Sequence, residues 1–178
     1  MPERVHLPER IDPPAADAAA ELVEQLAARR LTIAVAESLT GGLLVAELVR
    51  IPGASAVVRG GVVAYATPLK HTLLGVDQTL LDEHGAVHAE VAAQMARGIR
   101  SATAVDGIPA DVGVATTGVA GPDSQDGHPV GTVFVAVAIG DRVRVERFAF
   151  GGSRAEIRAS TVAAALDLAL GELPAQPE

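Results

Sequence analysis

Apolar residues recur every three or four positions through 14–30 (PAADAAAELVEQLAARR), with acidic residues early and paired arginines late. That period and charge order predict a helix matched to its own dipole. The pattern then changes. LTIAVAE (31–37) is a short, continuous apolar and β-branched run, the mark of a buried strand. It breaks at Ser38-Leu39-Thr40-Gly41-Gly42, after which LLVAELVR (43–50) returns to helical spacing. IPGAS (51–55) is a turn, and AVVRGGVVAYA (56–66) reads as a strand in which Gly60-Gly61 marks a bulge or a close backbone approach. Pro68 suits the first turn of a short helix running to about Leu74. Two more helices follow, at 76–85 and 88–103. Residues 111–118 predict a strand, 119–129 a loop, and 130–140 with 141–150 a hairpin turning at Gly140-Asp141. In its second arm Val143, Val145 and Phe148 are set against Arg142, Arg144 and Arg147, and an amphipathic helix at 154–170 closes the pattern.

Helix-linked strands favour parallel pairing, whereas a hairpin must be antiparallel. The order therefore implies an α/β fold: a single three-layer α/β/α domain with a mixed sheet. The domain is expected at 14–171, between a flexible N-terminal tail at 1–13 and a frayed C-terminal tail at 172–178.

Composition narrows the chemistry. The chain has 178 residues, no cysteine and a net charge of −8. Thiolate chemistry and disulfides are excluded. No basic block suggests nucleic acid, no apolar run is long enough to span a membrane, and the charged, proline-rich N-terminus is unlike a secretory signal. A cytoplasmic protein is expected. Of 14 basic residues, 13 are arginine; the sole lysine is Lys70, five positions from the sole tyrosine, Tyr65. Arginine cannot lose a proton near neutral pH, but a buried lysine can. The five histidines show no metal-ligand spacing, so neither a metal nor a cofactor is expected.

Four segments could carry chemistry. AESLTGG (36–42) places Ser38 at the carboxyl end of a strand, with Thr40, Gly41 and Gly42 opening a helix whose N–H groups suit a phosphate or an oxyanion. Read alone it serves equally as a helix N-cap. YATPLK (65–70) brings Tyr65 and Lys70, a base and a relay for a serine, or a packed ring and a solvated amine. ATTGVAGP (115–122) offers Thr117 and Gly118 to an anion, or forms a plain turn. GGSR (151–154) puts Arg154 at a helix start, where a bound anion or a surface ion pair would explain a cation.

Taken in order, AESLTGG, GVVAYATPLKHTLLGV, HGAV, TTGVAGP, PVGTVFVAVA and the GGSR helix entry resemble the C-terminal domain of the competence/damage-inducible protein CinA, over about residues 16–170. Long members carry a preceding pyrophosphatase-like domain, which is not expected in this chain. Stand-alone members are nicotinamide-nucleotide amidohydrolases (PncC). The resemblance implies hydrolysis of nicotinamide mononucleotide (NMN) to nicotinate mononucleotide and ammonia, by a serine nucleophile helped by tyrosine and lysine. Carried over, these are Ser38, Tyr65 and Lys70, with Thr117, Gly118 and Arg154 as substrate contacts. The chain departs from the family at Leu39 (often cysteine), Thr67 (often asparagine), His88 (serine) and Ser153 (aspartate), none within the Ser–Tyr–Lys set. The expected oxyanion donors are backbone N–H groups near Thr40, Gly41 and Gly42. The expected partners are the nucleotide substrate and a second copy of the chain, with no nucleic acid or membrane. The competing readings are a non-catalytic nucleotide- or protein-binding module and an amidase for another small amide.

Overall fold

The computed structural model describes residues 17–175. The tail expected at 1–13 lies outside the described residues, as do 176–178. Among the described residues five strands form one sheet in the order β2-β1-β3-β4-β5: β1 (Ile33–Glu37), β2 (Val58–Val63), β3 (Val112–Gly118), β4 (Thr132–Ile139) and β5 (Arg142–Ala149). β1 pairs in parallel with both β2 and β3, and β3, β4 and β5 are successively antiparallel. The expected mixed sheet is present.

Among the described residues six helices cover its two faces. One core joins α1 (Ala18–Arg29), α2 (Leu43–Val49) and α6 (Arg154–Glu172) to the sheet; a second joins α3 (Thr67–Leu74), α4 (Gln78–His84) and α5 (Ala89–Ala102) to the other face. The two faces are built from different side chains. Ile33, Val35, Val133, Val135 and Val137 point toward α1, α2 and α6, whereas Ala34, Ala36, Ala136 and Ala138 point toward α5. Small residues let α5 sit close. At Gly113 a Cβ would lie 2.0 Å from the Ala96 carbonyl oxygen, and at Gly98 it would lie 1.8 Å from that of Leu74, where α3 ends. These glycines are required by contact distance, not by backbone angle. Through them α3, which carries Lys70, is drawn in over the sheet.

Three local expectations are corrected. The strand expected at 56–66 begins at Val58, because Ala54–Ala56 forms a single 3-10 turn. The pairing slips between Ile33 and Ala34, opposite Val58 and Gly60, and a Cβ on Gly61 would meet Val35 at 2.8 Å; both the bulge and the close approach occur. Phe148 does not share a face with Val143 and Val145: those valines pack with α5, while Phe148 and Phe150 stack on the α6 side. The strand alternates with period two, and 148 has the other parity. Finally, the described part of the 172–178 tail is tied down. α6 runs to Glu172, Leu173 packs on the core, and the Pro174 carbonyl accepts a 2.7 Å bond from Arg29 Nε.

Candidate active site

The chain leaves the carboxyl ends of adjacent β1 and β3 in opposite directions, toward α2 and β2 from one and toward β4 from the other. Such a divergence opens a crevice at the strand ends. Ser38 follows β1 directly and lines a cavity there with Tyr65, Gly118 and Arg154.

Lys70 reaches Ser38 from α3. On this helix Lys70 and Leu74 lie one turn apart on the buried face. The Lys70 side chain is fully enclosed, and its Nζ donates to Ser38 Oγ at 3.1 Å and to the Ala64 carbonyl at 2.7 Å. Neither partner is a carboxylate. Desolvation disfavours the ammonium and lowers the pKa from 10.5 to about 8; the more distant charge of Asp126 works the other way. A lysine so placed loses its proton close to neutrality and faces a serine hydroxyl when it does.

The turn from Ser38 to Gly42 differs from its expected role. Glu37, only 1% exposed, turns its carboxylate under the start of α2 and accepts from the N–H groups of Gly42 (3.0 Å), Leu44 (3.0 Å) and Val45 (2.9 Å). The positive end of this helix therefore already holds an anion, supplied by the chain. The Gly41 N–H is taken by the Ser38 carbonyl. Gly41 and Gly42 thus offer no donor to a substrate; their use is conformational, at φ +59° and +99°. Thr40 is buried, and its hydroxyl pairs with that of Thr116 at 2.8 Å. Among the described residues the N–H groups of Leu39 and Thr40 have no acceptor. The free donors sit one and two residues after the serine, not at the glycines.

The opposite wall is more open. The Tyr65 hydroxyl, 59% exposed overall, accepts from Arg154 Nη2 at 2.9 Å and makes no hydrogen bond to Ser38. Arg154 also donates to the Gly121 carbonyl at 2.6 Å. Its position at the start of α6 is thus met by two neutral oxygens of the cavity rim rather than by an ion pair. Thr117 lines the cavity, but its hydroxyl donates to the Ala86 carbonyl at 2.7 Å, tying β3 to the loop after α4. Gly118 closes β3 where a Cβ would lie 2.6 Å from the Thr132 carbonyl. Asp123 and Gln125, from the loop after β3, complete the rim.

Two residues of the site carried no distinguishing sequence signal. Glu37 read as the polar end of a strand. Arg158 falls within the helix expected at 154–170, outside the quoted motifs, yet it donates from Nε to the Leu39 carbonyl (2.9 Å) and from Nη2 to the Thr40 carbonyl (2.8 Å). The preference for arginine at planar, two-pronged contacts is a general signal that could have pointed to it.

The model of the CinA C-terminal domain matches residues 15–173. The chain belongs to the CinA C-terminal domain family. A CinA-like protein of Frankia casuarinae is 48% identical over 143 residues, which cover 80% of this chain and 32% of that protein. A CinA-like protein of Gemmatimonas aurantiaca is 45% identical over 152 residues, 85% of this chain and 34% of the relative. The chain thus spans about a third of the length of the curated relatives it matches. Among solved structures, a CinA superfamily protein of Escherichia coli has a TM-score of 0.83 at 32% identity, covering 92% of this chain and 95% of that one. A competence/damage-inducible protein of Agrobacterium tumefaciens gives 0.81 at 34% identity, covering 90% and 98%.

Within this CinA domain the departures from the family pattern are locally accommodated. His88 caps α5, its Nδ1 accepting from the Glu90 N–H. Ser153 caps α6 in a reciprocal box with Glu156. Leu39 is buried in the core, and Thr67 opens α3 outside the Ser38 cavity. No helix among the described residues of the CinA domain is long and apolar enough to cross a membrane.

Proposed function

We propose that this CinA domain is a serine amidohydrolase that converts NMN and water to nicotinate mononucleotide and ammonia. The observation that carries the reading is the enclosed Lys70 amine, with its pKa near 8, placed 3.1 Å from the Ser38 hydroxyl. A serine needs a base to become a nucleophile, and a desolvated lysine is one.

In the neutral amine an N–H stays on the Ala64 carbonyl and the lone pair turns to Ser38. Lys70 takes the Ser38 proton as Oγ bonds to the carboxamide carbon. The oxygen of the tetrahedral intermediate takes up negative charge and is received by the Leu39 and Thr40 N–H groups. Collapse breaks the carbon–nitrogen bond, and Lys70 returns the proton so that ammonia leaves. Water, deprotonated by Lys70, then attacks the ester; Ser38 regains its proton and the nicotinate product is released. Tyr65 makes no hydrogen bond to Ser38 and its hydroxyl accepts from Arg154, so in this mechanism it serves the wall against which the nucleotide lies. Arg154, with its guanidinium at the cavity rim, is the ligand for the phosphate.

Ammonia release from NMN by the purified protein, beside Ser38→Ala and with nicotinamide riboside as a second substrate, tests the reading. Release from NMN that Ser38→Ala abolishes and that the riboside supports poorly is expected. A folded protein that releases none sinks the activity, and equal turnover of the riboside sinks the phosphate contact.

A further inference from the structure

The polar groups of the turn after β1 can be followed one by one. The Ser38 N–H donates to the Thr116 carbonyl, the Gly41 N–H to the Ser38 carbonyl, the Gly42 N–H to Glu37, and the Leu43 N–H to the Thr40 carbonyl. Two donors remain, those of Leu39 and Thr40. The helix end that commonly supplies anion-binding N–H groups is filled by Glu37, so these two are what the turn has left to offer.

Their direction is set from the far side. A peptide unit is planar and trans, so its carbonyl and N–H point opposite ways. The Leu39 carbonyl and the Thr40 N–H share one unit, and Arg158 Nε holds that carbonyl at 2.9 Å. The Thr40 N–H therefore faces away from α6. The next unit is held through the Thr40 carbonyl by Nη2 of the same guanidinium, at 2.8 Å. One rigid fork thus fixes two successive peptide planes.

We propose that Arg158 is a positioning residue for catalysis: by gripping the Leu39 and Thr40 carbonyls from behind, it fixes the two peptide planes that follow Leu39 and aims the free Thr40 N–H at the oxyanion formed on Ser38. The proposal rests on the reading of Ser38 as the nucleophile. Arg158 touches no substrate in it. Its contribution appears when charge develops on the reacting oxygen, so it acts on the chemical step and leaves nucleotide binding alone.

The test compares wild type, Arg158→Met and Arg158→Lys in two assays, steady-state deamidation of NMN and the rate at which a fluorophosphonate probe labels Ser38. The second assay needs the same oxyanion donors but no nucleotide. Losing one such donor costs about 10²–10³ in kcat, so a misaimed Thr40 N–H in Arg158→Met is expected to lower kcat at least ~30-fold. KM should stay within about twofold, labelling should slow in parallel, and the pH at which activity rises should not move, because Lys70 is untouched. Arg158→Lys keeps the charge but not the fork and should recover only part of the loss. Should Arg158→Met fail to fold, folded Arg158→Lys decides the matter: reduced kcat with unchanged KM supports the assignment. Wild-type kcat and labelling rates in a folded variant overturn it, and so does a change confined to KM. If wild type is labelled at Ser38 yet leaves NMN intact, the substrate reading fails and the labelling rates still judge Arg158. If wild type takes no label, Ser38 is not an activated nucleophile and both readings fall.

Discussion

The two walls of the cavity are built on opposite principles. On the Ser38 wall almost every polar group is buried and committed: Lys70 to Ser38 and Ala64, Glu37 to three N–H groups, Thr40 to Thr116, Arg158 to two carbonyls. On the Arg154 wall the groups are exposed and sparsely bonded, with one contact from the guanidinium to a tyrosine hydroxyl and one to a carbonyl. The difference teaches where rigidity is needed. Charge that develops in a reaction must meet dipoles already in place, whereas a flexible nucleotide can be gathered by side chains that adjust. The first wall gains its order from burial in both cores; the second stands at the ends of β2 and α6, in contact with water.

Breaking the buried wall should cost most. Lys70→Met removes the proposed base while keeping much of the volume, and kcat for NMN should fall by about 10²–10⁴. The same variant checks the desolvation of the amine. The unfolded chain binds the Lys70 proton up to pH 10.5, but the folded chain releases it at about 8, so between these values the unfolded state holds more protons. Wild type should therefore gain stability relative to Lys70→Met as pH rises through that window, measured as the change in denaturation midpoint. A constant difference would mean that the amine is solvated.

The open wall should give a smaller effect of another kind. Arg154→Ala is expected to raise KM for NMN about tenfold, in keeping with the loss of a charge-assisted contact of roughly 1.5 kcal/mol, with kcat little changed. A fall in kcat with constant KM would move Arg154 from binding to chemistry and blur the contrast between the walls.

The smallest effect sharpens the comparison, because it links the two sides. Asp126 lies in the loop between β3 and β4, accepts from the Ala86 N–H at 3.0 Å, and its charge favours the Lys70 ammonium. Asp126→Asn keeps an oxygen for Ala86 but removes that charge. On the proposed mechanism kcat/KM is expected to rise as Lys70 loses its proton, with a midpoint of about 8 in wild type, and in Asp126→Asn that limb should move to lower pH. An unmoved limb would mean that another group controls the profile.

Periodicity along the chain was enough for the α/β class, since buried strands and amphipathic helices leave local signatures that survive without tertiary context. Composition marked Lys70, as a lone lysine among arginines. Boundaries were less legible at Ala54–Ala56, where the 3-10 turn after Pro52-Gly53 runs on into residues of apolar pattern, and side-chain parity was misassigned at Phe148. The glycines of AESLTGG illustrate the deeper limit. Glycine before a helix suggests an open N-terminus, and nothing local says that the carboxylate of the preceding strand will fold under it.

What the sequence determined by itself was the set of elements, their layering and the residue types able to do serine–lysine chemistry, all of which depend on neighbours within a few positions. Tertiary structure alone decided which donors stay free. The Glu37 bonds that fill the α2 terminus are local, but Arg158 arrives from 119 positions away to hold the Leu39 carbonyl, and Tyr65 is drawn to Arg154 across 89. Hydrogen bonds over such separations exist only once the sheet and both helical layers have closed. Until then each of these groups is satisfied by water, and the chain carries no local record of the partner it will meet.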